Sequence, residues 1–218
     1  MNITWLGHSC FKIETGGKTL VTDPYDPKIG LTLPKDLTAD IVTVSHQHFD
    51  HSYTAAVGGE PKVINQPGQY EIGGTLITGV PTFHDNKQGT ERGGNTVFVI
   101  ESEGIRVVHL GDLGHLLSED QIKEIGRTDI LLVPVGGHYT IDPVEAKAVV
   151  DQLDPKIVVP MHMKRAGVDS PLAGVEEFVK LMSIESEKMD RIDVSSGDLS
   201  SAEQKVIMLN ASGNVSGQ

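Results

Sequence analysis

His46, His48, Asp50 and His51 stand within six residues of one another, directly after the apolar, β-branched run Asp40–Ser45. On an extended chain, residues i and i+2 project to the same side, so His46 and His48 can converge on one metal ion. The chain must turn after such a strand, which brings Asp50 and His51 towards a second point nearby. By chance this spacing arises in roughly one per thousand sequences of this composition. The chemistry on offer is capture of a divalent cation and activation of water.

A single catalytic metal needs three protein ligands and an open position, whereas a metal pair needs about six or seven ligands with one shared. Three further residues can complete the set. His84 ends the run Gly79–Phe83, Asp112 follows Ile105–Leu110, and His162 follows Ile157–Pro160. Each lies at the end of a β-like run, where α/β folds gather their ligands.

The elements that must position them are short. Asn2–Leu6, Phe11–Glu14 and Thr19–Thr22 read as strands, with Thr15-Gly16-Gly17-Lys18 as a hairpin connection. Asp40–Ser45 is a buried-type strand, and Ser52–Val57 a short helix. Residues Lys62–Phe83 are β-rich, a polar loop runs from His84 to Asn95, and Thr96–Glu101 and Ile105–Leu110 are strands. Ser118 caps a helix with Gln121 in capping-box position, and Asp142 with Pro143 opens a second helix to Leu153. Strands at Ile130–Val135, Ile157–Pro160 and Lys205–Leu209 and a helix over Leu172–Met182 complete the pattern. Residues 1–210 are expected to form a single domain, and 211–218, rich in Ser, Gly and Asn, a frayed tail. Strands first and alternation later predict layered sheets covered by helices.

Composition removes rival chemistries. The 218 residues carry 18 Lys+Arg against 30 Asp+Glu, a formal charge of −12, with nine histidines and one cysteine. A lone cysteine excludes thiolate-rich metal sites and disulfide frameworks, and Cys10 reads as a small core residue. The acidic balance opposes nucleic-acid tracks and anionic membranes. No export signal or membrane span is legible, so a cytoplasmic protein acting on a small-molecule substrate is expected, without nucleic-acid or membrane partners. The oligomeric state is left open, and a homo-oligomer is compatible with the sequence.

The segment Ser45–His51, followed in order by His84, Gly111-Asp112 and Pro160-Met161-His162, resembles the metallo-β-lactamase-fold hydrolases. Trp5-Leu6-Gly7-His8-Ser9, Thr22-Asp23-Pro24, Pro134-Val135-Gly136-Gly137 and Thr140–Ala146 are similar to the branch related to L-ascorbate-6-phosphate lactonase. The resemblance runs from about residue 3 to residue 165. It implies a four-layer αββα sandwich, of α+β or α/β class, with a dinuclear site at one edge of the two sheets. Carried over by position, His46, His48 and His84 hold the first metal, Asp50, His51 and His162 the second, and Asp112 bridges them. Asp23 matches the family's aspartate that orients a metal-binding histidine.

Four histidines remain. His8 follows the first strand and is read either as supporting a metal-binding residue or touching substrate, or as structural. His109 shares a strand face with Ile105 and Val107 and is read as buried and hydrogen-bonded. His115 and His138 lie in loops on the expected site edge as candidate substrate contacts, and Lys28, Lys35, Lys87 and Arg92 could meet an anion at the pocket mouth, formed by loops 24–38 and 84–95.

Two divalent ions, zinc or manganese by preference and iron acceptably, would lower the pKa of a shared water from 15.7 towards ~7. The hydroxide then attacks a carbonyl or phosphoryl centre, with Asp50 passing a proton to the leaving group. No G-x-S-x-G elbow is present. A hydrolase acting on an ester or lactone of an anionic metabolite is expected. The alternatives are a phosphodiesterase on a small cyclic or nucleotide substrate and, from another class, a non-hydrolytic binding protein or a di-iron redox protein.

Overall fold

The computed structural model describes residues 1–215 and consists of two mixed β-sheets facing one another, with α-helices packed on the outer face of one of them. The first sheet runs in the order Ile192–Asp193, Asn2–Gly7, Cys10–Thr15, Lys18–Thr22, Ile41–Thr43, Lys62–Ile64. The second runs Ser186–Met189, Lys205–Leu209, Ile157–Met161, Ile130–Pro134, Ile105–His109, Gly94–Ser102, Thr75–Phe83, Gly68–Ile72. The expected layered sandwich is present.

The pleat explains why the central strands are apolar on both faces. Ile105 and Val107, Ile130 and Leu132, and Ile157 and Val159 point between the sheets, against Ile3, Phe11, Ile13 and Leu20. Their neighbours Val108, Leu131, Val133 and Val158 point outward, against Ala146, Val149, Val150 and Phe178 of the covering helices. Each such side chain, sealed from water, contributes about 1.5–3 kcal/mol. The helices Glu119–Ile125 and Pro143–Leu153 carry the capping boxes read from Ser118 and Asp142. Over the outer face of the first sheet the covering layer is thinner. Tyr25, Leu31, Leu37 and Val57, from a long loop and 3-10 turns, close over Leu6, Val21, Val42 and Val44.

Three local expectations are corrected. The helix expected over Leu172–Met182 spans only Glu176–Met182, because Ala173 bridges extended segments: its N–H donates to Gly136 O and its carbonyl accepts from Lys164 N. The short helix expected at Ser52–Val57 is a single 3-10 turn, Thr54–Ala56. The tail does not fray at 211: Ser212 N–H donates to Trp5 O, and Asn214–Val215 pairs antiparallel with Leu31–Thr32. The remainder of that expected tail, 216–218, lies outside the described residues. No helix among the described residues is long and apolar enough to cross a membrane.

Candidate metal centre

Six strands end on one edge of the sandwich. In the first sheet, Asn2–Gly7 leads to His8, Lys18–Thr22 to Asp23, and Ile41–Thr43 to the segment Ser45–His51. In the second, Thr75–Phe83 leads to His84, Ile105–His109 to Asp112, and Ile157–Met161 to His162. Residues as far apart in sequence as His8 and His162 thereby meet at one rim.

They form two groups. In the first half-site, His46 Nε2 and His48 Nδ1 are 3.0 Å apart, and the ligand nitrogens of His46, His48 and His84 all lie within 4.8 Å of one another. The second half-site gathers Asp50, His51 and His162, with His51 Nε2 3.7 Å from Asp50 Oδ2. His8 lies beside them, its ring centroid 4.3 Å from that of His162. Asp112 sits between the groups: its Oδ2 is 3.2 Å from His51 Nε2, 3.3 Å from His84 Nε2 and 3.3 Å from His162 Nε2. Every residue expected as a ligand is therefore in one cluster.

The donor set fits divalent cations. Among the described residues, all the ion-pair partners of Asp112 are histidines, and its Oδ1 is buried with no hydrogen-bond donor. A dry carboxylate oxygen without a donor is costly unless a cation serves it. Imidazole and carboxylate without sulfur suit zinc, manganese or iron.

Burial sets the electrostatics. It pushes His46 down to about 3, helped by neighbouring His51, so this imidazole stays neutral and able to bind metal. Burial and His162 likewise push His8 down to about 4. For Asp112 burial alone would raise the carboxyl, but His162 and His51 hold it well below the usual range. For His51 the balance is opposite: burial would lower it, yet Asp112 and Asp23 raise it well above its ordinary value.

Asp23, fully buried, organises both groups. Its Oδ2 accepts from His51 Nδ1 at 2.8 Å and from Ser45 Oγ at 2.5 Å, and its Oδ1 accepts from Ser45 N. Ser45 Oγ is also 2.9 Å from His46 Nδ1, so one carboxylate fixes two imidazoles. Such outer partners set which ring nitrogen faces the metal.

Positioning residues emerge that the sequence did not mark. Asn95 Oδ1 accepts from Asp112 N, and its amide donates to Leu110 O and Thr82 Oγ1, locking the Asp112 turn. At the same turn Gly111 has φ +56°, and a Cβ there would lie 2.5 Å from Asn95 Oδ1 and 2.6 Å from Ser45 Cβ, so only glycine fits. Asp85, next to His84, accepts backbone N–H groups from Lys87, Gly89, Glu91 and Arg92 and pins the loop there. Its nearest sequence signal is an Asp opening a Gly-rich polar loop.

The other candidates separate. His109 is fully buried and its Nε2 donates to Ser9 O at 2.8 Å, as its strand position implied. Cys10 is buried in the layer outside the first sheet. His115 is not at the site cavity: its Nε2 accepts from Phe83 N and its Nδ1 donates to Leu116 O, which makes it a brace behind His84. His138 is exposed, and its neighbour Tyr139 lines the cavity instead. Of the four loop cations only Arg92 lines that cavity. Lys87 is paired with Glu91, Lys28 faces Asp26, and Lys35 is exposed.

The cluster opens into a basin of about 590 Å³ bordered by Gln47, Phe49, Glu91, Arg92 and Tyr139. Phe49, Asp50 and Tyr139 also border a narrower side cavity of about 210 Å³, walled by Ile29, Leu31, Val168 and Leu172.

Comparison with known proteins agrees with this architecture. Residues 2–162 match the family described as the Beta-lactamase superfamily domain. A UPF0173 metal-dependent hydrolase of Thermococcus onnurineus is 32% identical over 215 residues, covering 86% of this chain and 94% of that one. Another from Methanoculleus marisnigri is 32% identical over 74% of this chain and 80% of its own length. The crystal structure of a Thermotoga maritima protein, described as a candidate Zn-dependent hydrolase of the metallo-β-lactamase superfamily, is 45% identical with a TM-score of 0.80, covering 95% of this chain and 98% of that one. The chain belongs to the UPF0173 metal-dependent hydrolase family of the metallo-β-lactamase superfamily.

Proposed function

We propose that this protein is a dinuclear metal-dependent hydrolase that opens a small-molecule ester or lactone. One observation carries the reading: a single Asp112 oxygen lies within 3.3 Å of imidazole nitrogens from both half-sites. His46, His48 and His84 would hold one ion, Asp50, His51 and His162 the other, and Asp112 both. When bound, two such ions supply Lewis acidity and make a shared water acidic enough to act at neutral pH.

The chain's own groups do the rest. Asp50, half-buried, borders both the basin and the side cavity, so its carboxylate faces a departing group from either. In the metal-free chain burial would raise its pKa, but His8 and His51 beside it hold it below the ordinary range, so as a carboxylate it takes a proton from the attacking water and passes it to the leaving group. Asp23 and Ser45 keep the His51 and His46 rings from rotating. The basin volume falls within the range of small-molecule sites, about 300–1,000 Å³. Arg92 at its border favours a substrate with an anionic arm, and the side cavity, walled by Ile29, Leu31, Val168 and Leu172 but also by Arg165 and Asp169, leaves room for a second compact arm beside it. The resemblance to the ascorbate-6-phosphate lactonase branch supports a lactone among the esters.

The test is metal content by mass spectrometry, followed by a screen of the loaded protein against lactones, phosphodiesters and thioesters alongside Asp112→Ala. Two ions per chain and lactone or ester turnover, reduced by about a thousandfold in Asp112→Ala, are expected. Fewer than one ion per chain, turnover untouched by the substitution, or oxygen uptake with a reductant would overturn the reading. Preference for phosphodiesters would move the substrate class while leaving the metal chemistry in place.

A further inference from the structure

The Asn2–Gly7 strand ends on a histidine that none of the ligand positions of the family resemblance includes. His8 has φ +53°, a left-handed conformation that is sterically disfavoured for a residue with a Cβ. The surrounding structure enforces it: the His8 carbonyl accepts from Trp5 Nε1 at 2.9 Å and from His162 N at 3.2 Å. Strain of this kind persists where neighbouring structure over-determines it and is concentrated at functional sites. Its effect is to turn the imidazole inward, where the side chain is 11% exposed.

The imidazole points at the metal-facing atoms of two other residues. His8 Nε2 is 3.2 Å from Asp50 Oδ2 and 3.2 Å from His51 Nε2. The ligand atoms of His8, Asp50, His51 and His162 all lie within 4.8 Å of one another. Ligands held about 2.0–2.2 Å from one ion are separated by about 2.8–3.6 Å, from the octahedral to the tetrahedral arrangement. The His8 spacing to both neighbours falls within that range. Because His51 Nδ1 donates to Asp23, His51 Nε2 turns a lone pair towards His8 Nε2, and an ion between them would be served by both nitrogens.

We propose that His8 is a metal ligand, the third imidazole of the second half-site beside His51 and His162. This rests on reading the cluster as a metal centre. The second half-site then offers three nitrogens and a carboxylate besides Asp112, against three nitrogens in the first, and binds its ion more tightly.

The experiment titrates metal-free protein with Co²⁺ and Zn²⁺, reading cobalt absorption, bound equivalents and the number of coordinated imidazoles by X-ray absorption. His8→Asn is the main variant, because Asn tolerates the left-handed backbone. His8→Ala is the second, and His138→Asn, at an exposed histidine with a left-handed backbone (φ +60°) outside the cluster, is the control. The parent protein is expected to take up two equivalents in separable steps. His8→Asn is expected to weaken the tighter step by about a hundredfold or more and remove one imidazole from the count, while the weaker step and the melting of the metal-free chain stay unchanged. Unchanged binding in both His8 variants would overturn the assignment while leaving the metal centre standing. Weakened binding with an undiminished imidazole count would overturn it too, reducing His8 to a hydrogen-bond partner of Asp50. Less than one equivalent bound by the parent would overturn the metal centre, and the His8 assignment with it.

Discussion

In the second half-site His51 and His162 are sealed from solvent, and His162, His8 and Asp23 all take left-handed backbone angles. In the first half-site His48 is exposed, and none of His46, His48 and His84 leaves ordinary backbone space. Each left-handed non-glycine residue costs of order 1–3 kcal/mol, so three around one half-site need a rigid frame around them. That frame is the sandwich itself, since the three residues end the Asn2–Gly7, Lys18–Thr22 and Ile157–Met161 strands. The first half-site instead takes His48 from an exposed turn and His84 from the start of a loop. One half-site is preformed by the core and the other completed at the surface. If each half-site takes an ion, as proposed, the two ions should therefore differ in affinity and in rate of exchange.

The harshest way to break this contrast is to remove the group that serves both sides. Asp23→Ala strips the acceptor from His51 Nδ1, Ser45 N and Ser45 Oγ in a fully buried place. The metal-free protein should lose about 3 kcal/mol of stability, read by denaturant unfolding. Binding at the second half-site should weaken by about 10–100-fold, and at the first by less, because His46 is held only through Ser45. Equal weakening of both steps would show that the two half-sites share one foundation.

A milder substitution sharpens the contrast from the other side. His48→Ala removes an exposed ring, so the stability of the metal-free chain should change by less than about 0.5 kcal/mol. The first half-site nevertheless loses one of its three nitrogens. After desalting, the variant should retain one ion per chain where the parent retains two. Loss of both ions would mean that the tighter site depends on the weaker one.

What the sequence disclosed follows the same division. That His46, His48, Asp50 and His51 would lie together was legible because their geometry is local: one strand, one turn and a close spacing. His84, Asp112 and His162 were legible because each ends an apolar run. Asn95 was not, since its part depends on a contact across 17 residues to Asp112 N. Nor was Asp85, whose partners are backbone N–H groups that carry no side-chain signature. His115 was read towards the cavity because loop position does not reveal which backbone groups a ring will satisfy. The strand Ser186–Met189 escaped for a related reason. It pairs at the sheet edge and its residues, Ser-Glu-Lys-Met, show no apolar alternation.

Asp85 supplies the smallest and most local test, because the loop beside the first half-site depends on it. Four backbone N–H groups converge on this carboxylate. Burial would raise its pKa, but these donors pull it from an ordinary 3.8 down to about 2. A depressed carboxyl contributes fully above its unfolded value and loses that contribution as pH falls through the folded one. Loop pinning should therefore be constant from pH 5 to neutrality and fail only near pH 2. Asp85→Asn keeps the shape but removes the charge and half of the acceptor capacity, so the loop should open at every pH. Trypsin cleavage at Lys87 and Arg92 near pH 8 should accelerate by about tenfold, with the ion in the second half-site retained. If the cleavage rate is unchanged, the loop is held by the His84 and Gly93 backbone pairing instead, and the first half-site is more rigid than its exposure implies.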